Sequence, residues 1–306
     1  MSLTAHVGIV SLTKDVSASD LSRISAAIQK QVTRDFGPLW EVDATVDSFA
    51  QLEDLPLDYW PVIIVEDDNR LPASASGIHL DKNKQPFALV RAADGWGMTT
   101  SHEVLEMLAD PTGNRTVASD APEQAAGQGR VQFLVEVCDP CEATDYSYTI
   151  NGLVMSDFYT KHYFDPKPAS GVQYSYTGAI TKPREVLPGG YLSWQNPTDE
   201  NWYQLIYPDT GPDIVNLGKL DSQEACLRAS IDRIANKRSF EMMFKNTAPV
   251  TTAQRKFELR TEPSCKARAE ALREQVNALM KGSSASANGS DGHDGRAPRR
   301  GSRAKK

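Results

Sequence analysis

The stretch Thr99-Thr100-Ser101-His102-Glu103-Val104-Leu105-Glu106-Met107-Leu108-Ala109-Asp110-Pro111 constrains this chain most, because it reads as one short helix with its polar groups gathered on one side. At about 100° per residue, Glu106 falls about 40° from His102, Asp110 about 80° and Glu103 about 100°, while Val104, Leu105, Met107, Leu108 and Ala109 fill the rest of the arc. Thr100 and Glu103 have capping-box spacing, and Asp110-Pro111-Thr112-Gly113-Asn114 supplies a stop. An apolar face is thus expected to be buried and the imidazole and carboxylates to line the other. His102 and Glu106, four residues apart, can hold one metal ion between them.

The segments before this helix read as strand, helix, strands and hairpin. His6 to Leu12 has strand composition, and Leu21, Ile24, Ile28 and Val32 recur at helical spacing, with Ser17 or Ser19 as N-cap and Gly37-Pro38 as terminator. Trp40 to Phe49 alternates like a strand, and Pro61 to Val65 suits a buried one. Gly77 to Leu80 and Pro86 to Val90 flank a polar turn and predict a hairpin. After the helix, the Ala/Gln/Gly-rich run 118–129 reads as a mobile loop able to cover a cleft, and Val131 to Val137 as a strand. Tyr146 to Ile150 and Leu153 to Met155 flank Asn151-Gly152, a strong hairpin signal. From about residue 170, Val172 to Ile180, Gly189 to Trp194 and Trp202 to Tyr207 predict a small aromatic β layer, followed by helices over Ser222 to Lys237 and Cys265 to Met280.

These elements predict an α+β fold, divided as 1–168, a β-rich and helical extension over 169–281, and a disordered basic tail over 282–306. The tail holds six Lys/Arg and two Asp/Glu, which leaves the remainder with 27 basic against 38 acidic side chains. So acidic a body disfavours nucleic acid as the main ligand, apart from weak contact by the tail. No apolar run approaches the ~20 residues of a membrane span, and Met1 to Ser11 lacks the pattern of a secretory leader, so a cytoplasmic protein is expected. Four cysteines are too few for a disulfide scaffold, and Cys138-Asp139-Pro140-Cys141 lacks a second ligand pair for a zinc finger; both thiols read as tolerated.

The string Ser101-His102-Glu103, then Glu106, then Asp110-Pro111 resembles the active-site helix of the zincin metallopeptidases, written HExxE in place of HExxH, and more specifically the variant in exordium-like (phosphate-induced) proteins and bacterial relatives. The resemblance extends to about residue 160. It implies a zincin-like mixed sheet with an antiparallel edge strand before the active-site helix, a bound zinc or other divalent ion, and a peptide or protein substrate. His102 and Glu106 would be metal ligands and Glu103 the general base. Glu136-Val137-Cys138-Asp139 looks like the family's acidic segment after the helix; Glu136 is favoured as third ligand, with Asp139 as second choice or as the partner that orients His102. Glu142 ranks lower, and Asp110 needs a distorted helix end to reach the same ion.

One imidazole and two carboxylates neutralise a divalent ion, so water bound to it is less acidic than in an HExxH site, and selectivity for zinc over manganese or iron is weaker. The expectation is therefore a slow or specialised hydrolase, or an inactive zincin-fold binding protein whose metal is structural. His162, Tyr159 and Tyr163 have the chemistry of transition-state donors, although a packing role suits residues in an aromatic segment. His79 is expected on the edge strand facing solvent, His6 at the start of the first strand and His293 in the tail.

Overall fold

The computed structural model describes residues 4–243 except 67, 69–70, 72–74, 83, 209 and 221–225, with side chains to 235. All lie within the compact unit Met1–Glu258. The expected helix over Cys265 to Met280, the tail from 282 and His293 fall outside the described residues.

The fold is α+β, built on two five-stranded sheets. The first comprises β1 (Ala5–Ser11), β2 (Ala44–Ser48), β3 (Tyr59–Val65), β4 (Gly77–Lys82) and β5 (Gln85–Arg91) in the order β2-β1-β3-β5-β4. It is mixed: β1 pairs parallel with β2 and β3, β3 parallel with β5, and β4 antiparallel with β5 as an edge strand. Alternation along the strands sends side chains to two separate cores. Val7, Ile9, Val62, Ile64, Ala88 and Val90 join the larger core with α1 (Ala18–Gln31) and α3 (Trp96–Ala109), while Val10, Ile63, Val65, Ile78 and Leu89 form a smaller cluster on the other face.

Ser17 caps α1 by accepting the Asp20 N–H, as its position predicts. The helix runs on through a π turn, Val32–Phe36, into the short α2 (Gly37–Trp40), so Gly37-Pro38 starts a last helical turn where a stop was expected, and β2 begins only at Ala44. Asp35 in the π turn is buried. It accepts hydrogen bonds from Tyr176 (2.8 Å), Tyr148 (3.1 Å) and Arg34 (2.5 and 2.7 Å), tying this helix to two distant segments. Burial opposes the Asp35 charge, but the Arg34, Tyr176 and Tyr148 hydrogen bonds hold its carboxyl below the usual range. A lowered carboxyl contributes stability above its unfolded pKa and loses it as pH falls. Asp35→Asn is therefore expected to cost about 1.5–3 kcal/mol at pH 7, with the gap to wild type closing at pH 3. Urea unfolding at the two pH values checks this; a gap equal at both would remove the charge as the cause.

The second sheet is antiparallel, in the order β12-β11-β10-β7-β6, from β6 (Thr116–Asp120), β7 (Arg130–Leu134), β10 (Tyr191–Gln195), β11 (Trp202–Ile206) and β12 (Asp213–Gly218). Since β10 pairs with β7, this sheet crosses the expected 168/169 boundary, and Trp194 packs against Phe133 in the larger core. β8 (Tyr148–Ile150) and β9 (Leu153–Met155) form the expected hairpin, with Asn151 and Gly152 both at positive φ. Val172 to Ile180 is not a strand: the Asp157 and Ser175 side chains accept the Thr177 and Ile180 N–H groups, the Tyr176 N–H goes to the Phe158 carbonyl, and Tyr159 and Ser175 form an isolated bridge. The 118–129 run is pinned instead of covering a cleft. It forms β6 and a 3₁₀ segment (Glu123–Gln128), with Gln128 accepting the Trp194 indole N–H and Glu123 paired to Lys182. The last described helix, α4 (Leu227–Met243), packs Leu227, Ile231 and Ile234 against Leu134, Trp202 and Leu217. Among the described residues no helix is long and apolar enough to cross a membrane.

Candidate metal centre

Helix α3 starts at Trp96, a turn earlier than the Thr100 cap predicts. Gly95 precedes it, and Thr100 lies inside, donating its hydroxyl to the Trp96 carbonyl. Gly97 lets this first turn lie against α1: a Cβ there would stand 2.4 Å from Ile24 Cδ1. Every residue from Thr100 to Ala109 is buried, so the polar side of α3 faces protein as fully as the apolar side.

Three segments converge on that polar side. His102 Nε2 is 3.4 Å from Glu106 Oε1 and 3.0 Å from Asp139 Oδ1, and His102, Asp139 and Glu142 group within reach of one ion. The backbone N–H of Cys138 also reaches Glu106 Oε1, at 3.2 Å. Glu136 and Asp139 are both buried, and none of their four carboxylate oxygens has a hydrogen bond. The second segment is β4. Ile78 and Leu80 enter the smaller core on the far face, so period-two alternation turns His79 towards α3, not to solvent as expected. His79 is 1% exposed, with Nδ1 3.6 Å from Glu103 Oε2 and 3.5 Å from Glu106 Oε2. Gly77 allows this approach, since a Cβ there would meet Glu103 Oε1 at 2.5 Å.

The third segment, unforeseen from sequence, brings Arg228. The turn after α3 receives the start of α4: the Leu227 N–H reaches Asn114 Oδ1 (2.9 Å) and the Arg228 N–H reaches the Gly113 carbonyl (3.0 Å). The Arg228 guanidinium, 4% exposed, lies 2.5 Å from Glu106 Oε2, 3.1 Å from Glu136 Oε1, 3.0 Å from Asp232 Oδ2 and 3.8 Å from Asp139 Oδ2. Burial raises the Glu106 carboxyl, but Arg228 and His102 hold it well below the usual range. Glu136 and Asp139 are pushed up by burial, with neighbouring carboxylates adding to the rise, and Glu142 is pushed up to about 8 by burial and by Asp139. Burial opposes protonation of both imidazoles. Glu106 and Asp139 nevertheless raise His102 well above its ordinary value, and Glu103 and Glu106 raise His79 to about 9.

Other expected participants are engaged in other contacts. Asp110 caps the end of α3 and organises the following turn, accepting the Arg115 N–H at 2.7 Å. Tyr163 donates its hydroxyl to the Glu185 carbonyl, and the Tyr159 oxygen accepts the Glu136 N–H. His162 is on the surface, its side chain 60% exposed and paired with Asp165. Cys138 and Cys141 are buried free thiols.

No protein family, curated protein or solved structure matches this chain. The chemistry of the donors therefore carries the functional argument. One imidazole nitrogen facing two carboxylates is a donor set suited to zinc or a similar divalent ion. Glu136 Oε2, buried with no hydrogen bond, and Asp139, whose Oδ1 faces the His102 ring nitrogen, fit such an ion, since a buried carboxylate is held by hydrogen bonds or a cation. Arg228 supplies one positive charge to a cluster that also contains Glu103, Glu106, Glu142 and Asp232.

Proposed function

We propose that this protein is a divalent-metal-dependent hydrolase of zincin-like architecture, acting on peptide bonds. The observation that carries the reading is His102 Nε2 facing Asp139 and Glu106 within 3.4 Å, on a helix flanked by an antiparallel edge strand. His102, Glu106 and Asp139 would hold the ion. Asp139 is preferred to Glu136 because it contacts His102 directly, whereas Glu136 pairs with Arg228. A bound divalent ion would acidify water and polarise a carbonyl. Glu103, one residue after His102, is the base that would accept the water's proton. Among the described residues no strand pairs with the outer edge of β4, and an extended substrate could add there by main-chain hydrogen bonds.

Arg228 favours a second reading, a binding or structural protein on the same scaffold. A guanidinium bound to Glu106 and Glu136 neutralises part of the cluster without metal. Elemental analysis of protein purified without a metal-binding tag separates the two, comparing wild type with His102→Ala/Glu106→Ala. The hydrolase reading expects at least one equivalent of zinc or another divalent ion in wild type and its loss in the variant. No metal in either, even after zinc is added back, would overturn it and leave the binding protein.

A further inference from the structure

We infer that the centre has a second cation position, formed by His79, Glu103 and Glu106, with the Glu106 carboxylate bridging it to the ion held at His102. The two Glu106 oxygens face different imidazoles: Oε1 is 3.4 Å from His102 Nε2, and Oε2 is 3.5 Å from His79 Nδ1. The third donor, Glu103 Oε2, is 3.6 Å from the same His79 nitrogen. These separations are too long for hydrogen bonds. They match the roughly 3.3–3.6 Å between two atoms bound to one ion at about 2.0–2.2 Å in tetrahedral geometry.

Unsatisfied polar atoms point the same way. Neither ring nitrogen of His79 has a hydrogen-bond partner, nor does Glu103 Oε2, and all are buried. An imidazole always carries a donor or an acceptor at each nitrogen, and leaving such a group dry and unpaired costs about 1–3 kcal/mol. A cation on Nδ1 would satisfy that nitrogen and both facing carboxylates together. Arg228 does not exclude it, since Glu106 Oε2 has two lone pairs and the guanidinium needs one.

The carboxylates present can neutralise two divalent ions. Arg228 pairs with Glu106, Glu136 and Asp232, and Glu103, Asp139 and Glu142 bring the acidic groups to six; with all of them ionised and both imidazoles neutral, the guanidinium and two divalent ions leave one negative charge. Buried charges are tolerated only when paired. The second position stands independently of the hydrolase reading, since its three donors are complete without His102. Its consequence for turnover does rest on that reading: a cation on Glu103 removes the proposed base, so filling the second position would inhibit hydrolysis.

The test is the stoichiometry of Co²⁺ bound by metal-stripped full-length protein, followed by absorption and elemental analysis, in wild type, His79→Gln and His102→Ala. Two equivalents in wild type and one in each variant are expected. Mn²⁺-loaded wild type should give an exchange-coupled paramagnetic resonance signal through Glu106, which needs no folded variant. One equivalent, kept in His79→Gln and lost in His102→Ala, would overturn the second position and leave the hydrolase site. One equivalent lost only in His79→Gln would support the His79 position, refute the bridged pair and remove the ion on which hydrolysis depends. No bound ion would overturn both.

Discussion

Replacing Arg228 by alanine should destabilise the metal-free protein by about 3–5 kcal/mol, the range for stranding buried charges by removing their partner. For a domain of this size that is a fall of roughly 6–20 °C in Tm. The guanidinium is 4% exposed and lies against Glu106, Glu136 and Asp232, so its loss leaves carboxylates that water cannot reach. Arg228→Met, which keeps much of the stem, should be nearly as damaging because packing is not the missing element. The deficit should shrink as pH falls: a carboxyl whose folded pKa lies above its unfolded one takes up protons in the folded state first, so stability rises as pH drops through that window. Glu136 and Asp139 are already displaced in this direction by burial. An added divalent ion should also recover stability by binding only the folded state. Thermal melts of wild type and both variants at pH 5 and 7.5, with and without Zn²⁺, check all of this. A methionine variant as stable as wild type at pH 7.5 without metal would show that the carboxylates do not depend on the guanidinium.

Why His102 and Glu106 were legible and Arg228 was not follows from how each is positioned. Helix geometry alone places residues four apart side by side, whereas Asp139 enters only through the resemblance carried by Glu136-Val137-Cys138-Asp139, which favours Glu136 as the ligand. Arg228 reaches Glu106 across 122 positions, and the periodicity of α4 reveals only the face of Leu227, Ile231 and Ile234 that packs on Leu134 and Trp202. The pattern puts His79 on the correct edge strand and predicts the wrong surroundings. Alternation says that it opposes Ile78 and Leu80, and a polar residue opposite two apolar ones ordinarily faces water; here the opposite face meets carboxylates on α3. The first turn of α3 is not legible for a related reason. Gly97 weakens helix propensity locally, and only the close approach of Ile24 explains a glycine there. The pairing of β7 with β10 across position 168/169 is not legible in the sequence, because it is set by tertiary packing that composition does not report.

Glu103→Gln is the substitution that should affect rate most. Amide and carboxylate have nearly the same shape, so the close packing of Gly77 on this side chain should be undisturbed. What disappears is the capacity to take a proton, and removing a positioned general base lowers turnover by about 10²–10⁴-fold. The ion on His102, Glu106 and Asp139 should remain, because none of those donors is altered. Metal content then reports on Glu103 separately from turnover: loss of rate with the full complement of ions describes a base, whereas loss of one bound equivalent describes a ligand of the His79 position. Both losses together are expected if Glu103 serves in each role, as a base when the second position is empty and as a donor when it is filled. The measurement is cleavage of a quenched-fluorescent peptide library at one and two equivalents of Zn²⁺, read beside elemental analysis of the same samples. Wild type active on the library and a glutamine variant equally active would remove Glu103 from proton transfer. Glu142, the carboxylate grouped with His102 and Asp139, would then be the base to test.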